Sequence, residues 1–522
     1  MERTNSVARS TLIIMAGWGA AIIIGLVRQQ VIASAFGTTA ETDAFFAANI
    51  IPELLYTMLS GGALSFAFIP IYTELITGEK EGDSNRLLSQ VANLVFLAFA
   101  VVAVLAGLFA PGLVAGRLGV GVGFEPATQQ LTAQLMRILL FSNAIFAVSS
   151  ILTATLYAHK HFIVPALLPS MYSLGIIAGT LLLGPSMGIY GVAIGALLGS
   201  AMHFAIQVPV VLRYDVRWKP VLDFGDETLR AVLILMAPRV IDLLLARASI
   251  SWIGTNLTSE LGEGRVTALS FAFTLMNMPW TLIGTSIGIV IFPTMAELAA
   301  KKDLAAQREA LSGALRAILT LAIPAAVGLI VLGEPIIRVL FERGEFTAQS
   351  TQLVYYALQF YTVALLSQSM LEVVVRAFAA QKDTYTPLYV SVFTTALNIG
   401  LAVWLTDPAR ISHAGPALAN GVAVGVEALI GLTILSIRWQ GVNAGQIVLD
   451  AAKATFAAGL MAGVILGVDA LLQPGDLVLI AVGGTAGVLV YFTTALLLGI
   501  REIRDIPLGV INSFLKPAKS PA

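Results

Sequence analysis

The chain has 522 residues, 57% of them hydrophobic and 12% charged, with a formal net charge of −1. A soluble protein of this length carries about twice that charged fraction, so a string of soluble domains is excluded, and the neutral balance offers nucleic acid no basic field. No cysteine is present, which removes disulfides and thiolate metal sites, and the four histidines (His159, His161, His203 and His413) form no ligand pattern.

Repeated apolar runs of about 20 residues, separated by short polar breaks, read as transmembrane helices. The first, near 11–36, follows Arg3 and Arg9 and contains Ala33-Ser34-Ala35, which imitates a signal peptide and its cleavage site. The run is too long for one and is interrupted by Arg28-Gln29-Gln30, so it reads as helix 1. The stretch "TDAFFAANIIPELL" (42–55) opens helix 2, near 44–76. Asp43 stands where it would cap that helix, and Pro52 and Glu53 fall inside it. Further helices are expected near 87–115, 129–157, 163–184, 189–212, 229–256, 266–298, 310–333, 348–379, 387–405, 414–437, 448–472 and 477–499. That makes fourteen, an all-α polytopic membrane protein. With a cytoplasmic N-terminus, the inside breaks and tails hold 18 of the Lys and Arg residues, while the opposite breaks hold only Arg117, Arg265, Arg343 and Arg410. The positive-inside rule therefore puts both termini in the cytoplasm.

Two halves of the chain match at a nearly constant offset. "FIPIYTEL" (68–75) ends helix 2 and "FPTMAEL" (292–298) ends helix 8, with Pro70 and Pro293 separated by 223. Arg86 pairs with Arg308, Pro111 with Pro335, Met15 with Met236 and Gly191 with Gly415, at offsets of 221 to 224. "AHKHFIVP" (158–165) pairs likewise with "AAQKDTYTP" (379–387). Six helices per repeat, an even number, imply two parallel lobes, an arrangement of transporters. The lobes are expected over 1–219 and 220–440, with two added helices and a tail over 441–522.

Helices interrupted by Gly and Pro at matching positions of two halves point to a transport site. Helix 2 carries Pro52, Gly61 and Gly62; helix 8 carries Pro279, Gly284 and Gly288. These are expected hinges, although the glycines would equally serve close helix packing. Ionisable groups inside a bundle must face protein or water. Arg28, Glu53 and Arg247 are the candidates for a substrate site, with Asn49 and Asn277 as polar companions on the two broken helices. Glu372 and Arg376, spaced i,i+4, read as a mutual pair. Arg239 and Asp242, spaced i,i+3, would do likewise.

The run "GLVRQQVIASAFGTTAETDAFFAANIIPELLYTMLSGGALSFAFIPIYTEL" (25–75) resembles the opening of the MurJ (MviN) family of lipid II flippases, within the multidrug/oligosaccharidyl-lipid/polysaccharide (MOP) exporter superfamily. "VLFERGEFT" (339–347) and "AFAAQKDTYTPLYVSVFTTALNIG" (377–400) extend the resemblance over nearly the whole chain. It implies two six-helix lobes around a cationic cavity, through which an undecaprenyl-pyrophosphate-linked disaccharide-pentapeptide reaches the outer leaflet of the bacterial inner membrane. Arg28 falls on one of the family's cavity arginines. Other family cavity charges fall here on Ile22, Gln29, Tyr56, Gly61 and Thr274. Asp242 and Asn398 occupy positions where some relatives resemble sodium-coupled carriers, and their oxygens suit a hard monovalent cation. The resemblance thus leads to a non-enzymatic, monomeric flippase without organic cofactor, coupled to Na+ or H+ if to any ion. The same fold would also serve an O-antigen-type lipid-linked polysaccharide flippase or a cation-coupled multidrug exporter.

Overall fold

The computed structural model describes residues 2–59, 62–78, 81–159, 161–214, 216–234, 236, 240, 248–500 and 502–503. All regular structure among them is helical. Twelve helices are long and apolar enough to cross a membrane. The two remaining expected spans, helices 2 and 7, run across residues outside the described set.

Contacts divide the chain into two compact units, residues 1–267 with 343–346, and residues 268–342 with 347–522. The first holds α1 (Glu2–Phe36), α2 (Ala40–Leu59), α3 (Gly62–Thr77), α4 (Glu81–Leu108), α5 (Ala110–Ala115), α6 (Pro126–Ala158), α7 (Ile163–Ala178), α8 (Ile189–Ala205) and α9 (Gly254–Ser259). Near its end begins α10 (Arg265–Trp280), which continues through a π-helical turn, Thr281–Thr285, into α11 (Ser286–Ala300). The second unit then holds α12 (Leu304–Phe341), α13 (Ala348–Ala380), α14 (Tyr385–Leu405), α15 (Gly415–Trp439), α16 (Ala444–Leu472) and α17 (Gly484–Leu497).

The first unit reaches to residue 267 because the segment after the sixth span packs back onto it. Val216, Leu229 and Val232 are buried with Phe68, Leu87, Leu88 and Val91. Arg86 meets Asp223 at 2.8 Å and Asp226 at 3.2 Å, and Asn93 donates to the carbonyls of Lys219 and Val221. Its repeat mate, Arg308, donates to the carbonyl of Gln440 at 3.1 Å. Each repeat thus ties the start of its third span to the segment leaving its sixth.

In a membrane, helices gain little from hiding apolar surface, so close packing must hold them together. α7 and α8 meet along Gly175 and Gly179 on one side and Gly191, Gly195 and Gly199 on the other. A Cβ on Gly175 would run into the Cα of Gly199, and one on Gly179 into the Cα of Gly195.

In the second unit, α16 lies along α12 and brings α17 with it. Ala454, Ala457, Ala458, Met461 and Tyr491 share a core with Leu311, Leu315 and Ile318. Arg338 on α12 meets Asp476, at the foot of the last span, at 2.7 Å, and Arg316 meets Glu502, beyond it, at 2.9 Å. The two helices outside the sequence repeat are therefore integral to this unit.

Gly175→Val should cost about 1–3 kcal/mol by overpacking and lower the thermal midpoint in detergent. Gly463→Ala, where a Cβ meets nothing within 4 Å, should leave it unchanged or raise it slightly; equal midpoints for the two variants would refute the seam.

Candidate functional site

Arg28 lies two turns before the end of α1 and is half-buried. Among the described residues it makes no ion pair or hydrogen bond, and the ionisable groups whose fields reach it are Tyr172 and Glu53. Glu53 is exposed on α2, one turn beyond Asn49, whose amide donates to it at 3.4 Å. Pro52 beside it is buried inside the helix; it brings no N–H, so the carbonyl one turn back loses its backbone donor.

Around these groups stands a wall of rings that the sequence did not single out. Phe146 on α6 has its ring centroid 5.8 Å from Tyr56, 4.9 Å from Tyr172 and 4.8 Å from His203. His203 Nδ1 is 2.6 Å from the Ser149 hydroxyl, which also accepts from Gln207, and Thr153 donates to Gln207 at 2.9 Å. All four rings are half-buried. Five helices of the first unit thus converge on one cation, one carboxylate and a polar aromatic face. Tyr172 and Phe146 gave no signal because an aromatic residue in an apolar helix reads as core. Tyr56 stands at a position where the family carries a cavity arginine, which was the available hint.

The expected hinge residues of helix 8 are packed. Pro279 ends α10 and is followed at once by the π turn, an irregularity common at functional sites. A Cβ on Gly284 would sit 2.7 Å from the Cα of Ser369, and one on Gly288 would sit 2.5 Å from an Arg376 Nη. Glu372 pairs with Arg376 and accepts from Thr285 at 3.1 Å. These glycines therefore clear space for α13 and for a neutralised ion pair. Asn277 is half-buried in the second unit. Asn398 is buried in α14 with no hydrogen-bond partner for its Oδ1 among the described residues, and one turn away Thr394 donates to Glu427 at 3.0 Å. Arg239, Asp242, Arg247 and Gly61 lie outside the described residues, and Gly62 opens α3.

Asp43 corrects an expectation. It does not cap its own helix; it lies in the first turn of α2 with its carboxylate turned to a distant segment. Oδ2 accepts from the Gly264 amide at 2.6 Å, and Oδ1 from the amide and hydroxyl of Thr267 at 2.7 and 2.6 Å. Asp43, only 1% exposed, thus satisfies the free amides at the start of α10, where the helix dipole also favours an anion. The motif glycines belong to the same surroundings. Gly37 and Gly344 have φ of +59° and +60°, and a Cβ on either would overlap the other segment's backbone, Glu345 or Ser34. The Glu345 amide donates to the Ser34 carbonyl at 3.0 Å.

The "QKDTYTP" run also proves structural. Lys382 takes a left-handed conformation at φ 60°, which turns Asp383 toward the start of α14. Desolvation opposes ionisation of Asp383, yet the Thr386 hydroxyl and amide and the Arg438 guanidinium outweigh it and hold the carboxyl at about 2.

The chain has the fold class of a solved inward-facing multidrug resistance MATE family transporter of the MOP superfamily, which superposes with a TM-score of 0.66, covering 80% of this chain and 94% of its own, at 15% identity. Within that class the model of the family described as "Lipid II flippase MurJ" matches residues 32–483, and the chain belongs to this family. The lipid II flippase MurJ of Burkholderia cenocepacia is 27% identical over 80% of this chain and 81% of its own length. A probable lipid II flippase MurJ of Bdellovibrio bacteriovorus is 27% identical over 97% of both. A solved "Lipid II flippase MurJ, inward closed conformation" superposes with a TM-score of 0.78 over 95% of this chain and 99% of that one, at 26% identity.

Asp43→Ala would strand three buried donors, each worth about 1–3 kcal/mol when unsatisfied. A marked fall in thermal midpoint is expected, and a smaller one for Asp43→Asn, which keeps an acceptor. Equal and negligible losses would show that the carboxylate contributes nothing there.

Proposed function

We propose that this protein flips lipid II, the undecaprenyl-pyrophosphate-linked peptidoglycan precursor, from the inner to the outer leaflet of a bacterial plasma membrane. It is a carrier and changes no covalent bond. Membership of the MurJ family supports the cargo. The observation that carries the site is Arg28, a half-buried cation inside a membrane span with no ion pair among the described residues.

The chemistry follows from the cargo. A sugar-pyrophosphate head cannot enter hydrocarbon, where an unpaired ion costs many kcal/mol. A planar guanidinium takes a phosphate oxygen pair through two parallel hydrogen bonds. Glu53 and Asn49 orient and partly offset the cation between cargoes. The Tyr56 and Tyr172 hydroxyls and His203 offer donors and acceptors to the sugars, while the polyprenyl tail stays in lipid. The two lobes alternate in opening the site to either side. Both termini lie in the cytoplasm, supported by the lysine and arginine asymmetry of the breaks. Outward movement of an anionic head is helped by an inside-negative potential, about 2.3 kcal/mol per charge per 100 mV. Coupling to Na+ or H+ would add to this.

The test is reconstitution into liposomes with labelled lipid II and an external probe. Arg28→Ala should slow exposure by about 10- to 100-fold, the equivalent of 1.5–3 kcal/mol for a charged hydrogen-bonding partner. Arg28→Lys, a point charge without the fork, should fall between. Flipping by Arg28→Ala at the wild-type rate would remove Arg28 from the site.

A further inference from the structure

Arg137 lies on α6, apart from the site around Arg28. Its place is set by a proline on another helix. In a continued α4 the carbonyl of Gly107 would accept from the amide of residue 111, but residue 111 is proline and has no N–H. Arg137 Nε donates to that carbonyl at 2.9 Å. The stem of Arg137 passes beside Gly107, where a Cβ would stand in ordinary contact at 3.8 Å from Cγ.

A guanidinium has five N–H groups, and one bond to a carbonyl neither uses them nor neutralises the charge. Arg137 is exposed and, among the described residues, forms no ion pair. Val104, Leu105 and Leu108 on α4 and Phe141, one turn on along α6, are exposed and apolar, as a lipid-facing surface is. α6 has 33 residues, about 50 Å at 1.5 Å each, against a hydrocarbon layer of about 30 Å. Centred, it overhangs by about 10 Å at each end. Arg137 stands 11 residues beyond Pro126, about 16 Å along the helix, which puts its backbone about 6 Å below the hydrocarbon boundary. That is within the reach of an arginine stem to the headgroups.

We infer that Arg137 is a lipid site: pinned by the proline-freed carbonyl, its remaining guanidinium donors bind the phosphate of an anionic phospholipid in the surrounding bilayer. A lipid-borne phosphate is the ligand chemistry, and the carrier's own pyrophosphate cargo is the rival source. Native mass spectrometry of the full-length protein, titrated separately with phosphatidylglycerol and with undecaprenyl pyrophosphate, distinguishes them. For the tightest phosphatidylglycerol adduct, Arg137→Gln should need roughly tenfold more lipid than the wild type, reflecting a lost charge-assisted hydrogen bond. Arg137→Lys, which keeps the charge, should lose less and serves if the glutamine variant does not fold. Undecaprenyl pyrophosphate binding should be the same in all three. Equal phosphatidylglycerol binding by wild type and variants would overturn the site. A change confined to undecaprenyl pyrophosphate would overturn the phospholipid and make Arg137 a docking point for cargo.

Discussion

Every polar group this chain carries into the hydrocarbon layer must be answered by another group of the protein or by a lipid, because water is not there to do it. That single requirement accounts for most of the side-chain geometry. The three donors at the head of α10 are answered by Asp43. The carbonyl freed by Pro111 is answered by Arg137. Arg376 is answered by Glu372, which also takes the hydroxyl of Thr285. Arg28 differs: among the described residues it is held near Glu53 and Tyr172 without an ion pair or a hydrogen bond.

The repeat reuses local solutions more faithfully than it reuses residues. Arg86 and Arg308 both tether the third span of their repeat to the segment after the sixth, one through carboxylates and the other through a carbonyl. Of the two matching prolines, Pro111 frees the carbonyl of Gly107, and Arg137 from the following long helix compensates it. Chemistry diverged where geometry was kept.

Small residues carry the packing where apolar burial has little driving force. The glycine seam of α7 and α8 and the pair Gly284 and Gly288 belong to one logic: remove the Cβ and a backbone or a guanidinium can approach. The two glycines of helix 8 look like hinge positions in sequence because flexibility and close approach use the same residue. Next to them the π turn at Thr281–Thr285 supplies the irregularity that Pro279 suggested.

The positions of the twelve spans found among the described residues and the pairing of Glu372 with Arg376 were legible in the sequence. Each depends on composition over a span or on spacing within one helix, and such local terms do not need the fold. The partner of Asp43, 221 to 224 residues away, was not legible, nor was the ring wall of Tyr56, Phe146, Tyr172 and His203, which comes from four helices. A carboxylate at a helix start reads as that helix's cap, and a ring in an apolar run reads as core, until tertiary contacts choose otherwise. Sequence decided what must be buried in the membrane; only packing decided which distant group would satisfy it.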